Sequence, residues 1–392
     1  KSHPIEIPPS PPRLDFTKLS LMTVDGQSTL DYDDAISLAK YDEFYLLGVH
    51  IVDVGHRVKK HTVLDQEALN RCSSIYMPDQ RIPMRPASLA EDLCSLKAGQ
   101  IRPAISTMVK LSPALDIVSF DVVPTLVKVD QQLTYYDVNL LANENQNFLI
   151  LKDVATKFRK FRLDSGAIQI NLPDIHVWVG ESGDVSVNRI NRESPGRMLI
   201  SELMIMANWL MAGFLKDQNV PAIYRSQPSA KERLYQGNSD SLFQNIMQRR
   251  LLNRFVLSYA PDNHSGLGLD AYTTATSPIR KYCDLVTQRQ IRSIFGLETA
   301  YSVAEIDNII HLLELPMSQV SRLQQRRLRY WILKHLEKRI GEKEEGIVLN
   351  KRRRGYQVLI PEYMLECEVP FTSGLDLKPE DLVQVVIQRV HA

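Results

Sequence analysis

The sequence predicts an α+β protein: a large mixed α/β domain followed by a small antiparallel β-barrel of the OB type. Three observations lead there. Alternating apolar runs at 44–54 (FYLLGVHIVDV) and 104–122 read as strands. Two Ser-Pro pairs, Ser194-Pro195 and Ser277-Pro278, open apolar helices that run to about residues 216 and 294. In each, Ser can cap and Pro suits the first helical position. The stretch 343–392 changes character, with short strands at 346–349, 356–360, 365–370 and 382–390 separated by turns.

The elements follow in order. Residues 1–14, KSHPIEIPPSPPRL, carry five prolines and are expected to be extended, so a linker is assigned to 1–20. The large domain is placed at 21–340. Within it, 63–100 is loop-rich, with Pro78, Pro83 and Pro86, and 151–164 reads as a basic amphipathic helix. Residues 303–340 read as two further helices, and the barrel occupies 343–392.

Composition narrows the class. A chain of 392 residues suits one large domain and one small one. Its 44% hydrophobic and 24% charged content is that of a globular protein. The net charge of +1, from 47 basic and 46 acidic residues, neither supports nor excludes nucleic acid; distribution decides. Acids gather at 25–34, and basic residues at Arg249, Arg250 and Arg254, at 322–329 and at 351–354. Cys72, Cys94, Cys283 and Cys367 are far apart and form no CxxC pair. That argues against a zinc or disulfide framework and for a reducing compartment, with a cytoplasmic location expected. The longest apolar run, 203–215, contains Asn208 and falls short of the roughly 20 residues that span a bilayer. No signal peptide is visible. The first residue is Lys rather than Met, so upstream sequence is expected.

The strongest chemical signal is TVDGQSTLDYDDA, residues 23–35, which holds Asp25, Asp31, Asp33 and Asp34 with no basic residue among them. Carboxylates packed this closely repel one another and call for a cation. Hard oxygen ligands favour magnesium, with manganese equally suited. An EF-hand is excluded by spacing. A solvated acidic turn is the plain alternative, but the flanking Leu21, Val24, Ala35, Ile36 and Leu38 put the turn at the edge of a core.

The second signal is AYTTATSPIRKYCDLVTQRQ, residues 271–290. Arg280 is expected in the first turn of a helix, an end that binds anions and that Arg normally avoids. A phosphate there would accept two parallel bonds from the guanidinium. The plain alternative pairs Arg280 with Asp284 one turn later. An acidic metal site and a phosphate-binding Arg together suit phosphodiester cleavage.

These two motifs and their surroundings, from about 21 to 336, resemble the catalytic domain of the ribonuclease II/R (RNB-type) family. GVHIVDV at 48–54, IYMPDQRIPMRPASLAEDLCSL at 75–96, SPGRMLISELMIMAN at 194–208 and YTTATSPIRKYCDLVTQRQ at 272–290 look like its motifs, in its order. RLRYWILKHL and PAIYRSQP look closest to the branch found in photosynthetic bacteria and plastids. The resemblance implies an RNB-type catalytic domain with a C-terminal OB-like barrel. It also implies a 3′-to-5′ hydrolytic exoribonuclease that degrades single-stranded RNA to 5′-nucleoside monophosphates with two metal ions.

By the same resemblance Asp25 and Asp34 hold the firmly bound magnesium, with Asp31 supporting. Asp33 helps hold a second metal and its attacking water, and Arg280 binds the scissile phosphate. Tyr76 stacks on the terminal base, and Glu202 contacts the terminal nucleotides. Read from the residues alone, Tyr76 could be a core aromatic, and Glu202 a salt-bridge partner of an Arg such as Arg197.

Two positions depart from the family. Ile170 stands where a second stacking aromatic is common, and Gln227 where a His is common. The family's upstream cold-shock domains are not in this sequence, and the barrel lacks room for its last strand; weaker capture of long RNA is expected. The partner is single-stranded RNA, with no membrane, and a monomer is favoured. Lys351–Arg354 is expected to contact phosphate and 322–329 to be a solvated helix face. The competing readings are a catalytically degenerate RNA-binding relative, a metal phosphodiesterase acting on DNA or endonucleolytically, and a structural OB-fold adaptor.

Overall fold

The computed structural model describes residues 13–141, 145–371 and 376–391. Strand β1 (Leu14–Phe16) precedes the meander β2 (Leu21–Asp25), β3 (Asp34–Lys40) and β4 (Tyr45–Val52). Helix α1 (Val63–Arg71), the small hairpin of β5 (Ile75–Tyr76) and β6 (Arg81–Ile82), and a π-helical segment at Ser88–Leu93 follow. The long strands β7 (Ile101–Leu111) and β8 (Ile117–Lys128) lead to β9 (Gln131–Thr134), α2 (Tyr135–Leu141) and α3 (Gln146–Asp164). Then come β10 (Asp174–Val179), β11 (Val185–Ile190), α4 (Pro195–Asp217), β12 (Tyr224–Ser226), α5 (Leu242–Leu251), β13 (Val256–Ser258), α6 (Tyr282–Ile294) and α7 (Val303–Glu337). Strands β14 (Lys343–Lys351), β15 (Gly355–Ile360), β16 (Leu365–Pro370) and β17 (Leu382–Val386) end the order.

The large sheet runs β1-β8-β7-β4-β3-β2-β9, antiparallel except for β1 with β8 and β2 with β9. Side chains alternate across it, and both faces are covered. Ile36, Val49 and Ile105 face Phe148 and Leu151 of α3 and Leu203 and Met206 of α4. Leu21, Ala35 and Val127 face Leu285 of α6 and Ile306 and Leu313 of α7. Each buried aliphatic side chain contributes about 1.5–3 kcal/mol. One buried row on the second face is polar: Ser37, His50, Ser106 and Thr125 are hydrogen-bonded in sequence at 2.9, 2.7 and 2.6 Å. Burial lowers the His50 pKa to about 3, so the ring stays neutral.

Several sequence expectations change. The linker assigned to 1–20 overlaps the fold: β1 pairs with β8, and Arg13 forms an ion pair with buried Asp53. Residues 1–12 lie outside the described residues. The 303–340 segment is one helix that continues through Pro316, opened by a Ser302–Glu305 capping box. Helix α4 begins at Pro195 as expected, though the Ser194 side chain makes no capping bond. By length and composition α4 could cross a membrane, yet most of it is buried in the core between the sheet and α3.

The OB-type barrel is not formed. Strands β16-β15-β14-β17 make an open antiparallel sheet, with no ladder joining β16 to β17 among the described residues. One apolar cluster is covered by the C-terminal half of α7, where Ile332 and Leu336 meet Ile360 and Tyr363, with the β10–β11 hairpin alongside, and a second gathers Val348, Tyr356 and Val358 with Val369 of β16 and Val383 of β17.

Candidate active site

The antiparallel pairing of Leu21 with Ser37 and Met22 with Ile36 brings Asp25, at the end of β2, beside Asp34, at the start of β3. The loop between them carries Asp31 and Asp33. It is pinned by the segment after Ser88–Leu93: the Ser95 hydroxyl donates to the Leu30 carbonyl and accepts from the Tyr32 amide, both at 3.0 Å. Leu96 N donates to the Tyr32 carbonyl at 3.0 Å. Low exposure and mutual repulsion then act on the carboxylates. Burial, then Asp34 and Asp33, pushes Asp25 up to about 8. Burial pushes Asp33 to about 7 and Asp34 to about 6, against the pull of Arg280. One buried oxygen of Asp25 has no hydrogen-bond partner.

Arg280 comes to this cluster, but not from a helix N-terminus. Residues 277–280 form a separate turn, Lys281 is extended, and α6 starts only at Tyr282. The expected anion-binding helix end is therefore displaced from Arg280. Tyr282 N donates to the Cys72 carbonyl, and Ser74 N donates to the Arg280 carbonyl, which holds the turn off the helix. Asp33 accepts from the Ile279 amide at 2.8 Å and from Arg280 Nε at 3.0 Å. Asp284, the alternative partner, takes the Ser277 amide at 2.9 Å instead. The Arg280 side chain remains 39% exposed, and its Nε is the nitrogen bonded to Asp33.

Asp31 is drawn to a different group. It accepts from the Tyr76 hydroxyl at 2.8 Å and faces Arg81 Nη2 at 2.7 Å. Tyr76 and Arg81 are paired across the small hairpin, with the Arg81 guanidinium 5.4 Å from the Tyr76 ring centroid. The residue is 40% exposed, so Tyr76 is not a core aromatic. Helix α7 fixes the hairpin turn: Asp79 accepts from Arg327 and, at 2.9 Å, from Trp331 Nε1. Arg327, expected to be solvated, is committed to that contact.

Glu202 stands apart from the cluster. It is 1% exposed and is gripped by Arg162 at 2.5 and 3.0 Å and by Arg159 at 2.9 Å. Arg197, the expected partner, lies over the Tyr135 ring. Ile170 packs with Leu172, Ile246 and Leu359, bridging the large domain and the C-terminal sheet. Gln227 donates to the Asn253 carbonyl at 2.7 Å. In the C-terminal sheet, Arg352, Arg353 and Arg354 line an open groove of ~600 Å³ shared with Glu366 and Glu368. Lys351 points instead to Asp376 at 3.0 Å.

Sequence reasoning missed Arg81, Arg85, Arg159 and Arg162. The PDQ turn between Tyr76 and Arg81 was the available signal for the first, because a tight hairpin makes its flanking residues neighbours. The others become neighbours only through packing between distant segments.

The RNB domain matches residues 13–296. An uncharacterized ribonuclease of Synechocystis (strain PCC 6803) is 30% identical over 395 residues, covering 97% of this chain and 59% of the relative. Ribonuclease R relatives match as well, and the chain spans about half the length of the curated relatives it matches. In fold, the chain is similar to Mycoplasma genitalium RNase R in complex with ribose-methylated single-stranded RNA. That match has a TM-score of 0.86 and 21% identity, over 97% of this chain and 70% of that one. It is also similar to yeast Ssd1, a pseudonuclease, with a TM-score of 0.76 and 17% identity, over 91% of this chain and 50% of that one.

Proposed function

This chain belongs to the RNB-domain family, and from that premise we propose that it is a metal-dependent 3′-to-5′ exoribonuclease. It hydrolyses single-stranded RNA and releases 5′-nucleoside monophosphates. The observation that carries the reading is the Asp25–Asp33–Asp34 cluster facing Arg280, with Asp33 bonded to Arg280 Nε and the Ile279 amide.

The residues fit a hard divalent cation, magnesium first and manganese second. The donors are carboxylate oxygens, one buried Asp25 oxygen lacks a partner, and burial holds three of the acids above their usual range, with repulsion from neighbouring acids adding at Asp25 and Asp33. Among the described residues no group of three or more metal-ligating side chains is converged. Asp25 and Asp34 would hold the cation, with Asp33 beside them. When bound, it would supply a Lewis acid and lower the pKa of a bound water.

The chain's own groups do the rest. Arg280 presents its terminal nitrogens to the phosphate's non-bridging oxygens and offsets charge that grows as the bond to phosphorus forms. Asp33 holds the guanidinium through Nε and would accept a proton from the attacking water. The half-exposed Tyr76 ring offers a stacking surface that tolerates any base. Arg353 and Arg354 have no ion-pair partner among the described residues and offer a phosphate-binding track.

A cytoplasmic location belongs to the same reading. So does Glu202 as a contact of the terminal nucleotides, which would act from within its arginine pair. Binding without cleavage is the second reading, and the likeness in fold to a pseudonuclease is what favours it. Digestion of a 5′-labelled single-stranded RNA with magnesium, beside Asp33→Asn, separates the two. A descending ladder from the wild type that is absent in the variant supports the exonuclease. Binding without any ladder supports the second reading.

A further inference from the structure

Two buried charges of opposite sign hold the turn that carries Arg280. Arg85 is 2% exposed, and its Nη1 donates to the Pro278 carbonyl at 2.8 Å and the Ile279 carbonyl at 2.5 Å. Its Nε and Nη2 are buried and meet no acceptor. Asp284 is 1% exposed; one oxygen accepts from the Ser277 amide at 2.9 Å and the other is unpartnered. Burying an ion without a counter-ion is costly, and unsatisfied donors add to the cost. The one structure these two groups share is the turn 277–280.

The bonds they make compete with helix formation. In a helix continued back from α6, the carbonyls of Pro278 and Ile279 would accept from the amides of Tyr282 and Cys283. Arg85 occupies both carbonyls, Tyr282 N is turned to the Cys72 carbonyl, and Lys281 sits at φ −135° and ψ 126°. With its carbonyl side held by Arg85 and its first amide by Asp284, the turn directs the Ile279 amide and the Arg280 guanidinium at Asp33.

We propose that Arg85 and Asp284 are positioning residues that keep 277–280 out of helix α6 and so aim Arg280 at Asp33. Their effect on cleavage rests on the functional reading above; their effect on the turn does not.

The test uses two readouts on the full chain. The first is hydrogen exchange of the segment 273–281 in Arg85→Met, which keeps the apolar stem and removes the donors. The second is a double-mutant cycle of Arg85→Met with Arg280→Ala, read as cleavage of 5′-labelled single-stranded RNA with magnesium. Exchange of the turn is expected to quicken about tenfold or more while sheet amides are unchanged. Cleavage is expected to fall about 10- to 100-fold alone but less than about 2-fold further when Arg280 is already Ala. Arg85→Lys should restore much of both, and Asp284→Asn, which keeps an acceptor for Ser277, should disturb the turn less than Asp284→Ala. Unchanged exchange, or losses that add fully with Arg280→Ala, would overturn the proposal. If Arg85→Met does not fold, Asp284→Ala carries the same two readouts. If the wild type cleaves no RNA, the functional reading fails and exchange alone decides the clamp.

Discussion

Arg280 Nε donates to Asp33 Oδ2 at 3.0 Å, joining two residues 247 positions apart in sequence. The same carboxylate takes the Ile279 amide through its other oxygen. Asp33 thus both orients the phosphate-facing guanidinium and sits among the metal-facing acids. Replacing it with Asn keeps the shape and removes the charge. Asp33→Asn is expected to lower cleavage by at least about 10²–10³-fold. RNA affinity should stay equal or tighten by up to about threefold, since one repelling charge is gone. Filter binding and single-turnover cleavage check this together. Loss of binding along with activity would make Asp33 a structural residue.

The raised acids make metal-free stability depend on pH. Asp25 ionises at about 8 in the fold, and an unfolded Asp ionises at about 3.9. Between these values the folded state binds more protons, so stability falls as pH rises. The contribution is complete below about pH 4 and gone above about pH 8. Magnesium should restore more stability at pH 8 than at pH 6, because it replaces protons on the same carboxylates. Urea unfolding with EDTA and with magnesium, at several pH values, measures both trends. An EDTA curve unchanged by Asp25→Asn across this window counts against the assignment.

Tyr76 separates stacking from hydrogen bonding. Tyr76→Ala removes the exposed ring and is expected to leave longer end products, losing about 1–3 kcal/mol of stacking per base. Tyr76→Phe keeps the ring and drops only the bond to Asp31, so product length should be preserved. Gel analysis of limit digests distinguishes them. Equal products from wild type and Tyr76→Ala would exclude stacking.

Glu202 offers a contrast. Its carboxylate neutralises Arg159 and Arg162 in a buried site. Glu202→Gln leaves excess buried positive charge and is expected to destabilise the fold by about 3–5 kcal/mol. Denaturant unfolding measures this. Wild-type stability combined with altered end products would instead assign Glu202 chiefly to substrate contact.

The Arg353 and Arg354 groove should act through phosphate charge. Changing both to Glu is expected to weaken RNA binding and reduce the slope of log affinity against log salt by about 0.7 per lost contact. Hydrolysis of a dinucleotide should be spared. Titrations at several salt concentrations decide it, and an unaltered slope rejects the assignment.

The sequence by itself determined the family, the acidic motif and most element positions. These are local properties: alternation in β4 and β7, Ser-Pro at α4, and carboxylates clustered within 25–34 are written along the chain. Tertiary structure decided the partners. The SPIR segment could have run straight into α6, but Arg85 and Cys72, brought from other elements, and Asp284 of α6 itself hold it as a turn. Asp31 could have joined its three neighbours, but the Tyr76–Arg81 hairpin claims it. The C-terminal strands could have closed a barrel, but among the described residues they form an open sheet with one apolar cluster of their own and another shared with α7. Local pattern fixes which face a residue presents. Which charge meets it there depends on packing between segments hundreds of residues apart, and no short-range pattern encodes that.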